Sequence, residues 1–256
     1  MNYEELSKII HDIKQPVANI KVSASMIETA SKEEPVDKEA IGQFCGIIHR
    51  SCNSVNLLAS NFHDIINCRN KLATVNYSSC SVEEYITMYV SSIKPYIDSC
   101  NATLHTNILC GNNVFSCDYE KLTRVLNNLV TNAIKYNTSK DKIITLDLDI
   151  MEDNLVIKVT DNGIGIPKND IDKIFQCNYR AQNGRAVAQG CGLGMAIVKE
   201  FTDLMNGRLE IKSKLNHGTT ITVTLPQGFV IALNSVLQIK ELDPEKIEME
   251  FSTIME

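Results

Sequence analysis

The sequence has little that would suit a nucleic-acid-binding or membrane-spanning protein. Its 256 residues carry a net charge of −6 and no cluster of Lys and Arg, whereas nucleic-acid surfaces are built from grouped basic side chains. No window approaches the roughly 18 apolar residues that cross a bilayer. The first residues, MNYEELSKIIHD, are too polar for a secretory signal. We therefore expect a soluble chain without a nucleic-acid partner or a membrane span, organised as one large domain or two small ones.

The cysteines lack the arrangement of a disulfide framework. There are nine of them, an odd number, and no two form a CxxC pair. Thiols that stay reduced are typical of cytosolic proteins, so we expect a cytoplasmic location. Low-complexity tracts are absent, and the only repeats are helical heptads.

Residues 1–70 have the pattern of two helices, each with one apolar stripe at steps of three and four residues. The stripes consist of Leu6, Ile10, Ile13, Val17, Ile20, Ala24 and Ile27, and then of Ile41, Phe44, Ile48, Ser51, Val55, Leu58, Phe62 and Ile65. The intervening SKEEPVDKE predicts a turn around Pro35. A hairpin buries two such stripes poorly by itself, so we expect a dimeric four-helix bundle. Packing of the hairpin on its own chain is the alternative.

After residue 70 the pattern changes to mixed helices and strands, which predicts a second domain of the α+β class. The predicted helices begin at the capping box of Ser81 and Glu84, at Asp118, and at GMAIVKEFTDLM, the last ending at Gly207. The predicted strands are ATLHTNIL, IITLDLDIM, NLVIKVT, RLEIKSKL and TTITVTL. The second and third of these strands should form a hairpin across residues 152–154.

The segment HDIKQP in the first helix contains a candidate nucleophile. On the heptad stripe Ile10 and Ile13 face inward, so His11 points away from the bundle core. A neutral imidazole nitrogen is a competent nucleophile toward phosphorus, and Asp12 is the candidate carboxylate to fix its tautomer. Adjacent side chains do not face each other on an ideal helix, so this pairing needs a favourable rotamer. Pro16 should kink the helix beside His11. A solvated surface histidine is the alternative.

A second candidate constellation lies near the end of the helix that begins at Asp118. Asn128 and Asn132 are four residues apart and share one helix face, where their carbonyl oxygens could hold Mg²⁺. Lys135 can reach phosphates, and Tyr136 offers a ring for a base. A polar helix surface is the alternative explanation for each residue taken separately.

Two glycine-containing segments complete the pattern. In DNGIGIP, Asp161 follows a strand and can accept the amine of adenine, while Gly163 and Gly165 let the backbone approach a ligand. In GCGLG, glycines precede a helix whose N-terminal amides can bind an anion. The spacing fits neither a Walker loop nor a Rossmann fingerprint.

Taken in order, HDIKQP, NLVTNAIKY, DNGIGIP, KIF and GCGLGMAIV resemble the H, N, G1, F and G2 boxes of bacterial two-component sensor histidine kinases. The resemblance covers residues 3 to 226. It implies a dimerisation and histidine phosphoacceptor hairpin (1–70) followed by a Bergerat-type α/β sandwich that binds ATP (71–226). Residues 227–256 are then an extension of unknown role. We favour its interpretation as an extra helix and strand on the ATP domain over its interpretation as a regulatory segment.

The resemblance also implies a role for each matching residue. His11 and Asp12 would be catalytic, Asn128 and Asn132 would hold Mg²⁺, Lys135 would contact the phosphates, and Tyr136 and Asp161 would contact adenine. The nucleotide loops would contain Gly163, Gly165, Gly190, Gly192, Leu193 and Gly194. Residues 176–189 would form an ATP lid in which Arg180 contacts the γ-phosphate. The sequence departs from the family pattern at Gln15, Asn178 and Cys191.

The activity implied is that of an ATP-dependent protein histidine kinase with Mg²⁺ as cofactor. It would phosphorylate His11 and pass the phosphoryl group to an aspartate of a response-regulator receiver domain. The protein would act as a homodimer, with a hinge around residues 67–80. Its signal would come either from a separate sensor protein or from a sensor region outside the given sequence. A histidine phosphotransfer relay with a non-catalytic ATP domain is the alternative. An ATPase of the gyrase type is disfavoured because Asn128 stands where such enzymes have a catalytic Glu.

Overall fold

The computed structural model describes residues 3–32, 36–111, 113–187, 191–228 and 242–254. The predicted turn at Pro35 and the predicted loop residue Gly190 lie outside the described residues. No helix among the residues described combines the length and the apolar character that crossing a membrane would require.

The chain begins with the predicted helical hairpin, formed by α1 (Tyr3–Ala30) and α2 (Lys38–Arg69). Helix α2 starts where the Asp37 carboxylate accepts a hydrogen bond from the amide of Ala40 at 2.9 Å, which satisfies one otherwise unpaired donor of the first turn. Helix α1 continues through Pro16. The two helices pack along their length, so the prediction of a hairpin is confirmed.

The apolar stripe of α2 is buried or half-buried as predicted, but that of α1 is shifted. Ile9 is buried, whereas Ile10, predicted to face inward, is 48% exposed, and Val17 is also exposed. In the single chain, Ile10 therefore lies outside the contact between α1 and α2. The physical reason is that α2 packs along α1 and covers one edge of its stripe, whereas the inward position of Ile10 was predicted for a dimeric bundle.

The remainder of the described chain alternates helices and strands. The helices are α3 (Val82–Ser99), α4 (Tyr119–Lys135), α5 (Gln182–Val187), α6 (Gly194–Leu204) and α7 (Pro244–Phe251), with a 3₁₀ turn at Lys168–Asp170. The strands are β1 (Ser78–Ser81), β2 (Ala102–Ile108), β3 (Val114–Cys117), β4 (Lys142–Met151), β5 (Asn154–Asp161), β6 (Arg208–Ser213) and β7 (Thr219–Pro226).

Five strands form the main sheet in the order β2-β4-β5-β7-β6. Strands β2 and β4 are parallel and the other neighbours are antiparallel. Alternate residues of the central strands are buried, among them Leu146, Ile157 and Val223, and this period of two marks a sheet with one apolar face. Helices α3, α4 and α6 pack against the sheet. The α+β class is confirmed. The small β1–β3 sheet was not predicted.

Most predicted helix boundaries hold. Ser81 and Asp118 cap α3 and α4 by accepting hydrogen bonds from Glu84 and Lys121 amides at 3.3 and 3.0 Å. The end of α6 differs from the prediction, because Asn206 rather than Gly207 takes the left-handed conformation, with φ of 57°. Asparagine tolerates that conformation better than most residues with a side chain.

The last described helix, α7, packs against α2, α3 and α4, and so touches both the hairpin and the α+β part. It begins at Asp243, whose carboxylate accepts the Glu245 amide at 3.1 Å. Phe251 is fully buried, and its ring lies 5.2 Å from that of Tyr96 in α3. The helix expected in the extension is therefore present. The strand expected there would fall mainly in residues 229–241, outside the described part of the chain.

Candidate active site

A cavity of about 770 Å³ lies between the helical hairpin and the α+β part. The hairpin contributes His11, Asp12, Gln15 and Pro16 to its wall, together with residues of α2. The α+β part contributes Asn128, Asn132, Lys135, Tyr136, Asp161, Gly165, Arg180, Gly192, Leu193 and Gly194. The fold thus brings nearly all the candidate residues to one cavity, although they span most of the sequence.

His11 lies on the side of α1 that borders this cavity, and its side chain is 81% exposed. Its Nδ1 lies 3.4 Å from Oδ1 of Asp12, so the adjacent side chains meet despite their helical spacing. A carboxylate at Nδ1 favours the tautomer that leaves Nε2 as the nucleophilic nitrogen. The predicted contact between these two residues is present.

The two asparagines of α4 face the loop that precedes α6. The Asn128 amide nitrogen donates to the backbone carbonyl of Arg124 at 2.8 Å. A Cβ on Gly194 would lie 2.5 Å from Asn128 Oδ1 and 3.8 Å from Asn132 Nδ2. A side chain at position 194 would therefore require the Asn128 amide group to move aside. The orientation of Asn128 directs its carbonyl oxygen toward the loop, as a ligand of a hard cation requires.

Lys135 and Tyr136 close the end of α4. Burial lowers the pKa of Lys135 to about 8, and nearby Glu250 offsets part of this effect. An ammonium in such a site gains by pairing with phosphate charges. The Tyr136 ring lies beside Gly184, where a Cβ would be 3.1 Å from Cε1, and its carbonyl accepts the amide of Ile164 at 3.0 Å.

Asp161 ends β5, where the sheet register sets it opposite Thr219 of β7. One carboxylate oxygen accepts the amides of Gly163 at 2.8 Å and Thr219 at 3.2 Å. Burial raises the pKa of Asp161 to about 6, while the two hydrogen bonds act in the opposite direction. These bonds fix the orientation of a half-buried acceptor that lines the cavity.

The glycines after Asp161 are required by close approach of the backbone. A Cβ on Gly163 would lie 2.5 Å from the carbonyl oxygen of Tyr136. Gly165 has a φ of +64°, and a Cβ there would overlap the Lys214 carbonyl. Gly163 is not among the cavity-lining residues, so the structure gives it a role in chain packing, whereas Gly165 reaches the wall.

The loop before α6 contains Gly192 with a φ of +69°, and its carbonyl accepts the amide of Asn178 at 3.1 Å. Leu193 is buried and precedes the first turn of α6. The backbone amides of that turn border the cavity beside Asn128, an arrangement suited to anions. Gly190, predicted to belong to the same loop, lies outside the described residues.

Arg180 and helix α5 belong to the segment predicted as a lid. Arg180 lines the cavity, and its guanidinium donates to the Gly184 carbonyl at 3.3 Å. The Asn183 amide donates to the carbonyl of Gly165 at 2.9 Å, which ties this segment to the loop after Asp161.

Several residues that line the cavity could not be predicted from the sequence. Thr219 supplies a backbone amide to Asp161, and Asn183 holds the lid segment. Glu250, from α7, is buried in the wall near Lys135. Burial raises the pKa of Glu250 to about 7, against the opposing effect of the Arg124 guanidinium. These residues come from elements distant in sequence, and none of them lies in a recognisable motif.

Comparisons with known proteins agree with this geometry. Residues 117–228 match the family described as histidine kinase-, DNA gyrase B-, and HSP90-like ATPase. The chain is 27% identical over 226 residues to sensor protein kinase WalK of Staphylococcus aureus, covering 87% of this chain and 53% of that protein. It is 26% identical over 233 residues to sensor protein RprX of Bacteroides fragilis, covering 88% of this chain and 44% of that protein. The chain thus spans about half the length of these relatives.

Solved structures show the same fold. Acinetobacter baumannii histidine kinase AdeS matches with a TM-score of 0.65 and 15% identity, over 86% of this chain and 98% of that one. Full-length ShkA in complex with AMPPNP matches with a TM-score of 0.62 and 17% identity, over 91% of this chain and 47% of that one. The resemblance to two-component sensor histidine kinases is confirmed by these sensor-kinase relatives, and residues 117–228 match the histidine kinase-, DNA gyrase B-, and HSP90-like ATPase family.

Proposed function

We propose that this chain is an ATP-dependent protein histidine kinase that phosphorylates His11 and then passes the phosphoryl group to an aspartate of a response-regulator receiver domain. The observation that carries the proposal is the shared cavity, in which His11 and the candidate ATP-binding residues face one space. Phosphoryl transfer needs mainly positioning of the reactants and neutralisation of charge.

In the proposed reaction, the lone pair of His11 Nε2 attacks the γ-phosphorus of ATP. The bond from that phosphorus to the bridging oxygen breaks, and ADP leaves with the bond's electrons. Asp12 holds the proton on Nδ1 and stabilises the positive charge that develops on the ring. The AMPPNP bound to the structurally similar ShkA supports nucleotide binding by this fold.

The proposed nucleotide site uses Asp161 as the adenine acceptor, Tyr136 as a ring against the base and Lys135 with Arg180 at the phosphates. The loops containing Gly165, Gly192, Leu193 and Gly194 would enclose the nucleotide. Gly163 would shape the first of these loops by its close approach to Tyr136, and Gly190 remains a prediction for the second. Asn128 and Asn132 would hold Mg²⁺, because the Asn128 carbonyl is directed toward the loop before α6. The ion would neutralise phosphate charge when bound.

The proposed division of the chain is 1–70 for dimerisation and phosphoacceptance, 71–226 for ATP binding, and 227–256 as an extension. The exposed Ile10 and Val17 on the α1 stripe support burial against a second copy in a four-helix bundle. The proposed setting is the cytoplasm, which suits the nine free thiols.

The proposal is tested by incubating the protein with Mg²⁺ and γ-labelled ATP, with His11→Gln as the matched variant. We expect label only on the wild type, stable in alkali and lost in acid, and transferable to a receiver domain. A wild type that takes no label from ATP, but accepts it from a phosphorylated receiver, would support the phosphotransfer relay instead.

A further inference from the structure

The C-terminal helix α7 lies where the hairpin meets the α+β part. Phe251 packs on Tyr96 of α3, while Nδ1 of His49 in α2 lies 3.7 Å from a carboxylate oxygen of Glu248. Ile247 is also buried. Helix α7 is therefore held on one side by the α+β part and on the other by the hairpin.

A buried guanidinium joins three elements at this junction. Arg124 of α4 places Nε 2.7 Å from Glu250 of α7 and Nη1 3.0 Å from Asp64 of α2. Its Nη2 donates to the side-chain oxygen of Asn61 at 2.6 Å. Arg124, Glu250 and Asn61 are each less than a tenth exposed. The Asn61 contact is a hydrogen bond, whereas the two carboxylates form close ion pairs without hydrogen-bond geometry. The guanidinium is charged at any pH of interest, so it attracts both carboxylates at once.

This cluster is continuous with the active-site cavity. Glu250 and Asn61 line the same cavity as His11 and Asn132. Removing one member of a buried ion pair leaves the other charge without compensation, so the junction should weaken sharply when one partner is neutralised.

We propose that Glu250 is a positioning residue for phosphoryl transfer, a proposal that rests on the proposed kinase function. By holding Arg124 against Asp64, it keeps the ATP-binding part docked on the hairpin in the arrangement where His11 faces the nucleotide site. The C-terminal extension is then part of the kinase core rather than an appendage. Loss of this contact should slow transfer from bound ATP while leaving ATP binding intact.

The test compares Glu250→Gln and Asp64→Asn with the wild type. The matched control is Lys246→Ala. Lys246 lies on α7, as Glu250 does, and the substitution removes its exposed ion pair with Glu120 of α4. The labelling rate of His11 at saturating ATP should fall about tenfold or more in both test variants, since small displacements of reactants are costly. The dissociation constant for ATP should change by less than about threefold. Lys246→Ala should match the wild type in both quantities.

Amide hydrogen exchange gives a second readout that needs no kinase activity. Exchange along residues 58–65 and 252–254 should be faster in both test variants and unchanged in Lys246→Ala. If Glu250→Gln does not fold, Asp64→Asn decides the matter, because its more exposed side chain is less critical to the core. Unchanged or faster labelling together with unchanged exchange would overturn the inference. If the wild type takes no label, the kinase proposal fails, and exchange alone decides whether Glu250 holds the junction.

Discussion

Nδ1 of His11 lies 3.4 Å from Oδ1 of Asp12, the next residue of the same helix. This contact selects the tautomer that leaves Nε2 available to attack phosphorus. Asp12→Asn should therefore lower the rate of His11 phosphorylation by about 10- to 100-fold, as for other carboxylates that orient histidines. The affinity for ATP should be unchanged. Asp12→Glu should recover part of the rate, and a normal rate in Asp12→Asn would exclude an orienting role.

ATP binding should weaken at acidic pH because the Asp161 carboxyl group becomes protonated. The pKa of its carboxyl is about 6 in the ligand-free protein, raised by burial. The ionised form accepts the adenine amine, so affinity should be full above pH 7 and fall by up to about tenfold for each unit below pH 6. Calorimetry between pH 5 and 7.5 measures this. Asp161→Asn should bind weakly with a flat profile, whereas Asp147→Asn, on β4, should follow the wild type.

ATP binding should also weaken at alkaline pH because the Lys135 ammonium group loses its proton. Burial lowers the pKa of its ammonium to about 8, so the free protein loses this positive charge as the pH rises through 8. Affinity for the ATP phosphates should then decrease between pH 7.5 and 9.5, by up to about tenfold per unit. Lys135→Arg retains its charge throughout this range. A decrease of equal size in that variant would place the titrating group elsewhere.

Gly192 should tolerate no side chain. Its φ is +69°, and a Cβ would lie 2.6 Å from the carbonyl oxygen of Tyr179. Gly192→Ala should lower the free energy of unfolding by at least about 1–2 kcal/mol and weaken ATP binding, because the left-handed conformation is costly with a Cβ. Gly42→Ala is the control, since nothing lies within 4 Å of its Cβ position in α2. The free energy of unfolding of Gly42→Ala should rise by about 1 kcal/mol. Urea unfolding measures the change in both variants.

Local patterns were enough to predict the long helices and the five strands of the main sheet, but not β1, β3 or α5. Helix caps such as Asp118 and alternating strands such as β5 depend on neighbours in sequence, and they occur where predicted. The glycines of the two loops could be predicted because glycine, which has no Cβ, is the residue used where the backbone approaches its neighbours closely. The order of the motifs predicted one shared nucleotide site, and most of the residues predicted for it line one cavity.

Features that depend on distant partners could not be predicted. Ile9 rather than Ile10 is buried because the position of α2 decides which edge of the α1 stripe is covered. Thr219 reaches Asp161 only through the register of β5 and β7. Glu250 lies in the cavity wall and pairs with Arg124, 126 positions earlier in the chain, and no local pattern in the sequence distinguishes it from the exposed glutamates.

The central claim is that His11 is the residue phosphorylated by ATP, and mass spectrometry of a tryptic digest tests it most directly. After incubation with Mg²⁺ and ATP, kept at alkaline pH, one phosphoryl group should appear on the peptide of residues 9–14, which contains His11. Acid treatment should remove it, and His11→Gln should never acquire it. ATP hydrolysis without a modified peptide, or a phosphoryl group that survives in His11→Gln, would contradict the assignment.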